Sequence, residues 1–409
     1  MRSATVVARV GGGSRRALSR VGGVSRRRLF RVGGVSRRLL FRVGGVSRRL
    51  LSIVASSLAL VVGSCSGGEE PFDRAAMLAS LGQTVILPTY RDFAARAGEL
   101  DAAAIALCEA PSEATLASTR AAYGATREVF AQAEAFAIGP HTDSPRRLAP
   151  KVNFWPVRPD LVEAEIVATT PIDLDATSSA ARGLPALGYL LFGLEGEAAE
   201  DAAIVAALEG RRCEYLRALT RNLQARADEY ELAWSPEGDD FAGQLAEGRG
   251  TFASVQASSG VVFEQLVFTT ENVRELKIGK PFGKRDGGVL QLGEQEDRLG
   301  RRSLADAHAN VRSVQNVWTG RYADVQGIGV RDWLLARRPA LEPEVAAAFD
   351  AVHAAFDALG DRSLDQAIAE DPDGVEAVYQ AVKDLQTVLA VDVAQALAVT
   401  VTFNPTDGD

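Results

Sequence analysis

The chain has 409 residues, of which 47% are apolar and only 7% aromatic, and it carries a formal net charge of −8. That length is enough to bury a large core, and an apolar, aromatic-poor composition favours helices packed through small aliphatic side chains over a β-sandwich. The charge is uneven: residues 1–64 hold fourteen arginines and no acid, leaving 31 basic against 53 acidic residues, a net of −22, from Cys65 onward. A body that acidic excludes nucleic acid as a partner.

The first element is a tandem repeat. An eleven-residue unit runs four times, RVGGGSRRALS from Arg9, RVGGVSRRRLF from Arg20, RVGGVSRRLLF from Arg31 and RVGGVSRRLLS from Arg42. Units rich in Gly and Arg, with no acidic partner, cannot bury a core, so 1–49 reads as disordered or untranslated sequence. Two readings stay open: a duplication within the gene, with translation starting near Val43 or Val46, and a functional basic arm. Leu50–Val62 then forms a thirteen-residue apolar run behind Arg48-Arg49, too short for a stable membrane span and suited to a signal peptide. Val62-Gly63-Ser64-Cys65 has the form of a bacterial lipobox, with Cys65 as the lipidation site and 65–71 as a flexible tether. Two or more acyl chains anchor a protein far more durably than one. The expectation is therefore a cell-envelope lipoprotein, held on the membrane through Cys65 and facing the periplasm or cell surface. In such an oxidising compartment Cys108 and Cys213 have one possible pairing; the alternative is two separate buried thiols.

From Phe72 the pattern is helical. Apolar residues at three-to-four spacing run from Met77 to Leu107, with Pro88 expected to kink the segment. Pro111-Ser112 caps a second helix whose stripe, Leu116, Thr119, Tyr123, Arg127, Phe130 and Glu134, becomes polar towards its end. Residues 138–160 form an ordered, proline-rich loop, followed by a short helix near 160–168 and a long one over about 198–234. The turn SPEGDD at 235–240 is the best boundary between two bundles, 72–236 and 237–409. Beyond it, helices fit 239–278 (weak at Ser258-Ser259-Gly260), 301–319, 322–337, 342–359, 361–370 and 373–398, around a glycine-rich loop at 279–300. No stretch alternates with period two, so the fold class is all-α with two helical-bundle domains.

Four segments carry a resemblance in a fixed order: LPTYRDF at 87–93; NFWPVRP at 153–159 with RGLPALGYLLFG at 182–193; LKIGKPFGKR at 276–285; and VTVTFNPTDGD at 399–409. Together they resemble the imelysin family over about residues 75–409. The resemblance implies an all-helical fold with a cleft between two bundles, an envelope location often linked to iron acquisition, and in some members a metallopeptidase activity. It also implies a metal-binding motif, Gly-x-His-x-x-Glu. Here Gly183 matches, but Pro185 stands at the histidine position and Gly188 at the glutamate position. His and Glu three residues apart share a helix face and can hold one ion; proline and glycine have no side-chain donor atom.

Other routes to chemistry are sparse. Three histidines are present, His141 in the proline-rich loop and His308 and His353 on predicted helices, the latter two read as ordinary helix or interface residues. No nucleophile elbow, phosphate loop or dinucleotide fingerprint occurs, so no catalytic residue, metal or cofactor is assigned. The acidic groups Glu195/Glu197/Glu200/Asp201 and Glu294/Glu296/Asp297 read as dispersed surface carboxylates, and Lys280 and Lys284 as a solvated basic turn. The candidate ligand cleft comprises Asn153, Trp155, Arg158, Gly183 and His141, with Phe154 expected inward, Arg158 towards the cleft, and Gly188 leaving room where a glutamate would stand. The leading expectation is a non-catalytic envelope protein binding a ligand or an iron-transport partner. The rivals are a metallopeptidase using His141 with nearby carboxylates, and a structural adaptor.

Overall fold

A computed structural model describes residues 72–285 and 287–401. The basic repeats, the apolar run, Cys65 and its tether, and most of the C-terminal VTVTFNPTDGD segment lie outside them.

Sixteen α-helices fill the described residues. The first half holds α1 (Arg74–Leu81), α2 (Leu87–Glu109), α3 (Glu113–Ala131), α4 (Ala149–Val152), α5 (Pro159–Val167), α6 (Gly183–Phe192), α7 (Asp201–Ala207) and α8 (Gly210–Trp234). The second half holds α9 (Phe241–Glu247), α10 (Val255–Asn272), α11 (Ser303–Thr319), α12 (Val330–Arg337), α13 (Glu342–Leu359), α14 (Leu364–Glu370), α15 (Pro372–Thr387) and α16 (Ala394–Leu397). Two hairpins of two-residue strands, β1 (Gly193–Leu194) with β2 (Glu197–Ala198) and β3 (Arg321–Tyr322) with β4 (Val325–Gln326), are the only strands among the described residues. No helix among them is long and apolar enough to cross a membrane.

The caps explain where several helices begin. Asp73 accepts from the Ala76 amide at 2.9 Å, and Ser112 with Thr115 forms a reciprocal capping box ahead of α3. The helical run expected from Met77 to Leu107 is interrupted just before Pro88. The five residues before α2, Gly82–Ile86, widen into a π-helical turn, and the Leu87 amide bonds back to Gly82 O. That wider turn absorbs the missing proline N–H. The helix expected over 198–234 is broken at Glu209, where Gly210 takes φ +48°. The break expected at Ser258–Gly260 falls earlier: left-handed Gly248 ends α9 and Ser254 caps α10, leaving the serines inside it.

Helices α2, α3 and α8 pack together, with α6 against α3 and α8, while α10, α11, α13 and α15 form the second group. Tyr90, Phe93, Phe130, Phe136, Tyr230 and Trp234 make a continuous aromatic cluster under the first group, Tyr90 stacked on Tyr230 at 4.9 Å. Each such ring, fully buried, contributes on the order of 1.5–3 kcal/mol. Cys108, near the end of α2, is bonded to Cys213, near the start of α8, with an S–S distance of 2.04 Å.

The two helix groups meet where α3 ends. Its last carbonyls have no intrahelical partners and are taken by side chains of the second group: Asn310 donates to Ala131 O at 2.8 Å and Ser313 to Gln132 O at 2.5 Å. Gln265 and Thr269 on α10 donate to Glu134 O at 3.0 and 3.1 Å. These bonds fix the polar end of α3, with Arg127 and Glu134, against α10 and α11.

Candidate functional site

A charged centre is buried at that junction. Arg127 of α3 is 2% exposed and reaches three carboxylates, with Nε 2.6 Å from Asp306 Oδ2, Nη2 3.1 Å from Glu296 Oε1, and Nε 3.5 Å from Asp297 Oδ2. Lys277, in the π-helical segment Val273–Gly279 that continues α10, places Nζ 2.7 Å from Glu296 Oε2 and 3.6 Å from Glu134 Oε1. Asn153 Nδ2 donates to Glu296 Oε1 at 2.6 Å, and Arg302 Nε lies 3.4 Å from Asp306 Oδ1.

Burial and pairing oppose each other here. Burial alone would raise the Glu296 carboxyl, but the Lys277 ammonium and Arg127 guanidinium hold it down to about 2. Asp306, fully buried, is pushed up to about 6 because burial outweighs Arg127. Burial likewise raises Glu134, against the pull of Lys277. Burial also lowers Lys277, yet Glu134 and Glu296 leave it raised and charged. Each carboxylate of this centre thus has a resident cation, Arg127, Lys277 or Arg302, within 4 Å.

The motif helix α6 lies on this centre. Gly183 takes φ +72°, and a Cβ there would sit 2.3 Å from Val152 O, so only glycine allows the proline-rich loop to pass this closely. Gly183 therefore serves the close approach of the two backbones. Pro185 sits in the first turn, as expected. The room attributed to Gly188 is filled: a Cβ would meet Tyr123 Oη at 2.6 Å and Asp297 Oδ1 at 2.9 Å. Tyr123 Oη donates to Leu184 O at 3.2 Å, closing the same space. A side chain at 188 requires Tyr123 Oη and Asp297 Oδ1 to shift.

Two cavities flank Glu296, each lined from both helix groups. One of about 340 Å³ lies beside Pro185 and Tyr189 and reaches Gln295, Glu296 and Asp297. The other, about 170 Å³, is lined by His141, Asn153, Trp155, Glu134, Asn272 and Lys277. Three expected cleft residues, His141, Asn153 and Trp155, therefore come together. Arg158 does not join them; it is exposed and paired with Asp160 at 2.9 Å, and Phe154 points outward at 46% exposure. Pro156 and Pro159 turn the chain away after Trp155 into the wall of the larger cavity. His141 Nδ1 shares a 2.7 Å hydrogen bond with Tyr230 Oη, and burial with the nearby Lys277 lowers its pKa to about 4.

A further expectation is corrected: Glu296 and Asp297 are buried, not surface carboxylates, because the 279–300 loop folds inward to meet Arg127. Lys280 and Lys284, partly exposed, pair with Glu294 at 3.0 Å and with Glu376. His308 and His353 bridge α11 and α13 through a 2.8 Å hydrogen bond. Among the described residues, no group of three or more His, Cys, Asp or Glu side chains is arranged to hold a metal ion. With Pro185 and Gly188 lacking donor atoms and the carboxylates held by Arg127 and Lys277, the residues present do not fit the metal implied by the motif.

An all-helical body with a motif helix laid over a buried ionic centre defines the class, and the comparisons with known proteins agree. The imelysin model (peptidase family M75) matches residues 86–391, and the chain belongs to that family. Iron-regulated protein A of Synechococcus elongatus is 26% identical over 245 residues, covering 59% of this chain; the match spans 63% of that relative's length. An iron-regulated protein A precursor from Parabacteroides distasonis shares the fold with a TM-score of 0.65 at 20% identity, over 81% of this chain and 97% of its own. An imelysin-like protein from Psychrobacter arcticus does so with a TM-score of 0.62 at 17% identity, over the same 81% and 97%.

Proposed function

We propose that this chain is a non-peptidase member of its family, binding a small polar ligand or a partner protein at the two cavities beside Glu296. The observation that carries this reading is the pairing of the buried carboxylates with resident cations. Arg127 and Lys277 pair with Glu296, Asp297, Asp306 and Glu134, and Asp297 with Tyr123 lies where a side chain at 188 would enter. A hydrolytic metal needs about three protein ligands and an open position for water. The smaller cavity offers instead an aromatic wall from Trp155 and polar groups of Asn153, Asn272 and His141. The name of the Synechococcus relative supports a tie to iron supply, and the lipobox at Cys65 supports an envelope position. The test is peptide hydrolysis by the full-length chain after incubation with zinc or ferrous iron. The reading expects no turnover above the metal-only control. Turnover that a chelator abolishes and that survives Pro185→Ala would overturn it. For the envelope position, Cys65→Ser should move the protein from the membrane to the soluble fraction, and unchanged fractionation would refute lipid anchoring.

A further inference from the structure

A third cavity, of about 530 Å³, lies apart from Glu296, where the start of α11 meets the end of α13. Its lining is unlike the rest of this acidic chain. Arg301, Arg302 and Arg312 approach from α11 and the turn before it, and Arg362 from the turn after α13. Two carboxylates, Asp357 and Asp361, share the lining, and neither is ion-paired with any of the four. Glu128, outside the lining, is shared between Arg302, at 3.3 Å, and Arg312, and Arg302 also lies 3.4 Å from Asp306 of the buried centre. Arg362 lies 3.5 Å from Glu370 and 3.8 Å from Asp371 and donates to Leu359 O at 3.1 Å. Arg301 makes no ion pair or side-chain hydrogen bond among the described residues, and it is exposed. The lining itself therefore carries four arginines against two aspartates, and the acids that pair with Arg302, Arg312 and Arg362 lie outside it.

The geometry suits an oxyanion. Guanidinium groups present paired N–H donors that match carboxylate and phosphate oxygens, and Glu128 holds two of them in place before any ligand arrives. The first turn of α11, a seventeen-residue helix, opens onto the same cavity through Leu304 and Ala305 and has no side-chain cap; its own acid, Asp306, is turned inward to Arg127, so the amide end of the helix adds to the arginines. On the far wall, the ring of His308 stacks on Phe356 at 4.6 Å. We propose that the cavity bounded by Arg301, Arg302, Arg312 and Arg362 binds a small multivalent oxyanion, a phosphate or a polycarboxylate. This site does not depend on the reading of the Glu296 centre.

The experiment is isothermal titration of the full-length chain with inorganic phosphate and, separately, with citrate, both in about 0.15 M NaCl so that weak counter-ion association is screened. The expected result is saturable one-to-one binding of at least one anion, weakened at least tenfold in R301Q/R362Q and measurably in R301Q alone. R158Q, an exposed arginine elsewhere, should leave it unchanged. Which anion saturates decides between phosphate and carboxylate chemistry. Arg301 has no partner to lose, so R301Q tests the site without disturbing the fold. No saturable binding of either anion, or equal binding by wild type and both arginine variants, overturns the proposal.

Discussion

Replacing Arg127 with Met asks how much of the fold rests on the buried ionic centre. The guanidinium is 2% exposed and meets Asp306, Glu296 and Asp297 at 2.6, 3.1 and 3.5 Å. At an effective dielectric of about 20, a unit-charge contact near 3 Å amounts to roughly 5 kcal/mol before desolvation is subtracted. Breaking one buried pair by removing one partner costs about 3–5 kcal/mol, because the other charge is left without compensation. Lys277 still holds Glu296 in the variant, so the expected loss is about 4 kcal/mol, measured by urea unfolding at pH 8. Asp306→Asn removes one of the stranded charges. The double variant should therefore be about 1–2 kcal/mol more stable than the sum of the single effects predicts. The loss should also depend on pH. Asp306 already has a folded pKa near 6, above its unfolded value, and without Arg127 it rises further. The folded variant then takes up protons the unfolded chain does not, so it regains stability as pH falls from 8 to 5. A loss below about 1 kcal/mol, or one equal at pH 8 and pH 5, would refute the account of this centre.

Three further outcomes follow from separate parts of the molecule. Gly183→Ala forces a Cβ to 2.3 Å from Val152 O at φ +72° and should cost at least about 2 kcal/mol, whereas Gly210→Ala, at φ +48° with open space around it, should cost about 1 kcal/mol; equal losses in thermal unfolding would contradict the close-packing argument. Cys108→Ser/Cys213→Ser removes a cross-link between residues 105 apart, worth about 4–5 kcal/mol in the chain-entropy model. A reductant should lower the Tm of the wild type towards that of the variant and leave the variant unmoved. His141 is held neutral by burial, with a folded pKa near 4 against 6.5 in the unfolded chain. Between those values the unfolded state binds the proton and the folded state does not, so stability falls with pH, by about 2 kcal/mol from pH 7 to pH 5. His141→Phe should remove that share of the acid sensitivity, and an unchanged pH profile would show that another group is responsible.

The all-helical class could be read from three-to-four apolar spacing and caps such as Ser112, because those signals are local. The ends of several helices could not. Gly210 and Gly248 act through positive φ, a backbone choice that apolar periodicity does not carry. The candidate site was partly visible. His141, Asn153 and Trp155 sit in one proline-stiffened loop and converge on one cavity. The buried centre had a signal too: the α3 stripe turns from Leu116 and Thr119 to Tyr123, Arg127 and Glu134 while keeping helical spacing. Charges on an otherwise buried face need partners, but the stripe does not say where they come from. Asp306 is 179 residues away, and Glu296 and Asp297 lie in a loop that resembles solvated sequence by composition. Only the fold brings them to Arg127. Gly188 shows the same limit from the other side, since its missing side chain indicates space and Asp297, from a remote loop, fills it.

The most direct measurement is the metal content of the purified full-length chain, incubated with excess zinc or ferrous iron, desalted and analysed by mass spectrometry for bound metal. With Pro185 and Gly188 lacking donors and Arg127 and Lys277 holding the carboxylates, the account predicts far less than one equivalent of either metal, in the wild type and in His141→Ala alike. One equivalent of zinc or iron in the wild type, lost in His141→Ala or in Glu296→Gln, would contradict it.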